Sequence, residues 1–151
     1  MDFEDIGKFL TYLIPIIIIV LTNVVFKKHK QQQTKLNVVR SLLSEIDFDQ
    51  KLLEAFSLQW QIRKFKAGTW KRNKDKMDYI DPALRYVLAD AFEIAEEFNR
   101  EVDAAKKHKS TSYLSGIRVE RLTKPLAKSK QRLEEWLELN QSKKKLPAKT
   151  V

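Results

Sequence analysis

Residues 9–26 read FLTYLIPIIIIVLTNVVF, an eighteen-residue run without a charge, and Lys27, Lys28, His29 and Lys30 follow at once. A run of about 18 apolar residues is long enough to be a candidate for crossing a bilayer. At about 1.5 Å per residue it spans roughly 27 Å, against a hydrocarbon core of ~30 Å. Lys8 and Lys27 flank it and can snorkel to the headgroups. Thirteen of the eighteen residues are Leu, Ile, Val or Phe. On an insertion scale of roughly −0.3 to −0.6 kcal/mol each, they give about −4 to −8 kcal/mol. The expected spanning set is Phe9, Leu10, Leu13, Ile14, Pro15, Ile16, Ile17, Ile18, Ile19, Val20, Leu21, Val24, Val25 and Phe26. Pro15 removes one helical hydrogen bond and predicts a kink rather than an end.

A cleaved leader needs a basic start and a small-residue cleavage site. Here Asp2, Glu4 and Asp5 stand against Lys8, and residues 23–30 offer no such site. The run therefore reads as a signal anchor. Five basic residues and no acidic one fall between Lys27 and Arg40. The positive-inside rule then places the N-terminus outside the inner cell membrane and the C-terminal domain in the cytoplasm. The lack of cysteine fits a reducing compartment.

Beyond the run, every segment has a helical period. Leu36, Val39, Leu42, Leu43, Ile46, Leu53, Phe56 and Trp60 make one broad apolar face. The charged residues Glu45, Asp47, Asp49, Lys51 and Glu54 take the other positions. Gly68 and Asn73 mark the helix end and the following loop. That loop runs to about residue 80, long for a bundle connection, and its Trp70, Met77, Tyr79 and Ile80 predict that it folds back onto the bundle.

Asp81-Pro82 is a helix start: an N-cap acceptor, then proline at the first helical position. Leu84, Val87, Leu88, Ala91, Ile94, Ala95, Phe98, Val102 and Ala105 follow on one stripe, and residues 106–112 close the helix. A last helix is expected from about residues 110–112, carrying Leu114, Ile117, Leu122, Leu126, Leu133, Trp136 and Leu137. Pro125 predicts a kink or a break in it. The expected fold is all-α: an N-terminal transmembrane helix and a small antiparallel three-helix bundle, with four helices if the last breaks at Pro125. The boundaries are 1–29 for the anchor with its basic stop, 30–140 for the cytoplasmic bundle and 141–151 for a basic, disordered tail.

Net charge is +9, unevenly placed. Residues 61–80 carry +5, residues 81–103 carry −5 and residues 104–132 carry +8. Asp90, Glu93, Glu97 and Glu101 flank the stripe of the second helix, and Arg118, Arg121, Lys124, Lys128 and Arg132 flank that of the third. The two flanks can face each other across a helix pair. Lys27, Lys28, Lys30, Arg63, Lys64, Lys66, Lys71 and Arg72 are the candidate contacts to anionic lipid, each worth about 1 kcal/mol near such a surface. Phe65 and Trp70 are interleaved with them, a mixture that nucleic acid can also use by stacking.

No catalytic chemistry is legible. Without cysteine, and with His29 and His108 the only histidines, there is no zinc-type cluster. Asp90, Glu93 and Glu97 lack the Glu-x-x-His partner of a di-iron bundle. Three glycines build no phosphate-cradling loop. No catalytic residue, metal or cofactor is expected, and the chain reads as a non-enzyme.

Leu42-Leu43-x-Glu45-Ile46 and Leu88-x-x-Ala91-Phe92-x-x-Ala95-x-x-Phe98-Asn99 resemble stretches of small, uncharacterised bacterial single-pass membrane proteins with a cytoplasmic helical domain. This chain departs from them at Asp49, where asparagine is expected, and at Phe92, where tyrosine is. The resemblance implies architecture and no activity. The expected function is a membrane-anchored helical interaction or scaffold module. Its expected partners are the bilayer and either another protein or a second copy. The alternative is a membrane-tethered nucleic-acid binder.

Overall fold

The computed structural model describes residues 3–56, 63–110, 112 and 118–145, with the side chains of residues 3–12, 56 and 143–145 left aside. Among the described residues every regular element is a helix. Four α-helices run in the order α1 (Phe3–Phe56), α2 (Gly68–Asn73), α3 (Pro82–His108) and α4 (Thr123–Lys145). Short 3-10 turns lie at Lys74–Lys76 and Val119–Leu122. The chain divides into two compact units, Met1–Asn37 and Val38–Val151.

In the first unit the backbone is α-helical from Phe3 onward and Pro15 lies inside the helix. Ile14, the isoleucines 16–19, Val20, Leu21, Val24, Val25 and Phe26 are all exposed. Lys27, Lys28 and Lys30 are exposed as well. Phe9 and Leu10 lie outside the described side chains. Among the described residues no helix is long and apolar enough to cross a membrane. The part of the uncharged run whose side chains are described, residues 13–26, reaches about 21 Å at 1.5 Å per residue.

The second unit is a helical bundle. Its core is Val39, Leu42, Ile46 and Leu52 from α1; Leu84, Leu88, Ala91, Phe92, Ala95, Phe98, Val102 and Ala105 from α3; and Leu122, Leu126, Leu133 and Leu137. The α3 set keeps most of its sequence stripe, because positions at three- and four-residue steps stack on one face, but Val87 and Ile94 are only half-buried and Phe92 joins the core in addition. Asp81 caps α3 by accepting the Leu84 N–H at 2.9 Å, with Pro82 in the first turn. Lys109 ends the helix in the left-handed conformation, φ 50°.

The helix directions depart from an all-antiparallel bundle. α3 and α4 are antiparallel: the Ser129 hydroxyl donates to the Val87 carbonyl, and Arg132 meets Asp81. α1 and α3 instead pass in the same sense. Lys66 then Thr69 meet Asp49 then Glu45 on α1, and Phe65 then Trp70 meet Phe98 then Phe92 on α3. Partners step backward on both helices as the connection advances. The connection itself makes the return stroke, so α3 sets out in the same direction as the bundle part of α1.

Three local expectations change. Gly68 starts a short helix instead of ending a long one. α4 begins at Thr123, not near residue 110, and Pro125 sits in its first turn. The first turn of a helix has no N–H bonds to lose, so proline is tolerated there without a break. The helix also runs through residues 141–145, inside the expected tail. Residues 146–151, Trp60, Leu114 and Ile117 fall outside the described residues.

Leu88 is fully buried. Leu88→Asp places an unpaired charge there and should cost about 3–5 kcal/mol, read as a large fall in the thermal midpoint. An unchanged midpoint would remove this stripe from the core.

Candidate functional site

The basic connection opens with residues 63–67, which have no regular structure of their own, so their backbone must find partners elsewhere. Side chains of α1 and α3 supply them. Asn99 on α3 grips Phe65 from both sides: its Oδ1 accepts the Phe65 N–H and its Nδ2 donates to the Phe65 carbonyl, each at 2.8 Å. Asp49 on α1 accepts the Lys66 N–H through Oδ1 at 2.7 Å. Glu45, one turn earlier, accepts the Thr69 N–H at 2.8 Å and the Thr69 hydroxyl at 2.9 Å. Ala67 gives α2 no side-chain cap, so Glu45 reaches in from α1 to satisfy a free N–H. A carboxylate at a helix N-terminus is also favoured by the helix dipole.

Apolar contacts seal the same segment. The Phe65 ring meets Phe98 edge-on at 4.9 Å, and Trp70 stacks on Phe92 at 5.3 Å with planes 9° apart. Met77 and Ile80 are buried and Tyr79 packs against Trp136. The connection does fold back, as its apolar residues predict. Phe65 and Trp70 are thereby withdrawn from the surface, and neither is free to stack on a nucleobase.

The basic side chains remain outside. Arg63, Lys64, Lys66, Lys71 and Arg72 are all exposed. Lys64 pairs with Asp103 and Lys71 with Glu96 at 3.7 Å, both on α3. The Lys66 ammonium lies 3.9 Å above the Phe48 ring. The structure thus brings these five onto one clamped connection, while Lys27, Lys28 and Lys30 belong to the other unit.

The expected pairing of the α3 and α4 charge flanks is not found. Among the described residues no ion pair joins Asp90, Glu93, Glu97 or Glu101 to Arg118, Arg121, Lys124 or Lys128. Arg132 turns to Asp81 at 3.6 Å, and Lys130 crosses to Asp47 on α1 at 2.7 Å. Long exposed side chains gain little from fixing one geometry, which is why flank periodicity does not dictate pairs.

Asp49 is the residue the sequence hides. It reads as one more surface charge, yet it is fully buried. The signal is spacing: Leu42, Ile46, Asp49 and Leu53 step by four, three and four along one face. Burial pushes its pKa from 3.8 up to about 7; the Lys66 amide bond opposes that rise, and the Glu45 charge adds to it. Oδ2 is buried with no hydrogen-bond partner among the described residues. Among the described residues no cluster of His, Cys, Asp or Glu could hold a metal ion.

Asn99→Leu should leave both polar groups of Phe65 unpaired and cost about 2–4 kcal/mol in denaturant unfolding. A change within about 0.5 kcal/mol, the range of a neutral surface substitution, would deny the clamp its role.

No family model matches the chain, and no curated protein or solved structure matches it.

Proposed function

We propose that this chain is a single-pass, membrane-anchored helical interaction module. Residues 9–26 form the anchor, the N-terminus faces outward, and the bundle works as a non-enzymatic scaffold on the cytoplasmic side. One observation carries the reading. Residues 16–21, four isoleucines then Val20 and Leu21, are each between 46% and 60% exposed. Successive helical residues are about 100° apart, so this apolar surface runs round the whole helix. A protein partner would cover one side of such a helix; acyl chains cover all of it. Water rarely tolerates so large an apolar patch on a soluble monomer. Within it, the Thr22 hydroxyl donates to the Ile18 carbonyl at 2.5 Å and so needs no water. With residues 9–12 the run reaches about 27 Å, near the thickness of a hydrocarbon core.

On this reading the lysines after the run meet anionic headgroups. Arg63, Lys64, Lys66, Lys71 and Arg72 add a second basic surface, weakened where Asp103 and Glu96 answer Lys64 and Lys71. The other partner is a protein or a second copy of the chain. The nucleic-acid alternative is the weaker one, because the two aromatics that would stack are buried in the bundle.

The full-length chain should stay in the membrane pellet after alkaline carbonate extraction. Ile17→Lys with Val20→Lys adds about 5–7 kcal/mol to insertion on the translocon scale and should release it to the supernatant. Release of the unsubstituted chain would overturn the anchor.

A further inference from the structure

We propose that Asp49 is a proton-operated latch: with its carboxyl protonated, segment 66–69 stays docked on α1, and with the proton gone the segment loosens. The inference stands on geometry that the scaffold reading does not use, and it holds whether or not the chain is anchored.

Asp49 is fully buried and joins the segment through a single bond, Oδ1 to the Lys66 N–H at 2.7 Å. Oδ2 has no hydrogen-bond partner among the described residues. A neutral carboxyl tolerates that enclosure. An ionised one leaves a charged oxygen buried and unsolvated, and the cheapest relief is to open the segment and admit water. The surrounding groups set the direction. On α1, Glu45 opposes ionisation of Asp49, and Asp47 is occupied by Lys130 of α4. From the segment, Lys66 favours ionisation, but its ammonium is drawn out over the Phe48 ring. α3 contributes the neutral Asn99, which holds Phe65 independently of pH.

The sign follows by linkage. The docked carboxyl titrates near 7 and an ordinary one near 3.8, so the docked form holds the proton more tightly. The proton's contribution to docking is therefore full below about 3.8, falls as pH rises from there, and is lost once pH passes the docked value of about 7. What moves is the basic connection itself. The Asn99 grip on Phe65 is the hinge at one end, and the Glu45 bond to Thr69 is the next to go.

Trp70 reports the event, because its stack on Phe92 depends on a docked segment. The experiment uses the full chain in detergent micelles, with Trp60→Phe and Trp136→Phe so that Trp70 alone fluoresces. Acrylamide quenching is measured from pH 5.5 to 8.5. The quenching constant should rise with a midpoint near 7, and Asp49→Asn should stay at the low, docked value throughout. Glu45→Gln should move the midpoint to lower pH by removing the like charge. No transition in the parent chain overturns the latch, as does one that persists in Asp49→Asn. If Asp49→Asn does not fold, the 13C-labelled carboxyl of Asp49 is followed by NMR in the parent chain. Titration together with the Trp70 transition supports the latch, and titration in the ordinary carboxylate range overturns it.

Discussion

The bundle depends on how the connection 63–76 satisfies its backbone. Its irregular start, residues 63–67, is laid against a core and exposes N–H and C=O groups that no helix ladder serves. Left unpaired and buried, each costs about 1–3 kcal/mol. α1 meets this need with two carboxylates one turn apart, and α3 meets it with one amide that both donates and accepts. Phe65 and Trp70 then enter the core beside these bonds, where water cannot compete for them. Because the connection spends its length returning, α1 and α3 pass in one sense and α4 supplies the antiparallel neighbour.

The same arrangement sorts the charge. Apolar members of the connection point inward and basic members outward, so a stretch that looks like a mixed binding surface becomes a basic one. Two of its cations are partly answered by α3. The broad charge flanks of α3 and α4 stay unlinked among the described residues, while the pairs that form are isolated bridges: Arg132 with Asp81, Lys130 with Asp47. Exposed pairs of this kind contribute about 0–1 kcal/mol and follow local reach more than periodic pattern.

Legibility in the sequence follows the same division. Asp81-Pro82 and the Leu88 stripe are local signals, and both are realised where they stand. Trp70, Met77 and Ile80 predict a folded-back connection because large apolar side chains in a loop have nowhere else to go. The clamp is not legible, since Glu45, Asp49 and Asn99 bond to residues that are distant in sequence. Charge alone assigns Asp49 to the surface, yet its spacing assigns it to the core; tertiary satisfaction of one oxygen decides. Gly68 reads as a stop because glycine ends many helices, but the carboxylate of Glu45 lets it begin one. Pro125 reads as a break because its position relative to the helix start is fixed only by packing.

The central claim, that three side chains dock the connection, is most directly tested by amide hydrogen exchange of the full chain in micelles at pH 6. The N–H groups of Phe65, Lys66 and Thr69 should be protected as strongly as those in the interior of α3, since each belongs to a buried or docked residue and is bonded to a buried or half-buried side chain. Exchange at the rate of an open loop at these three positions, with α3 still protected, would contradict the account.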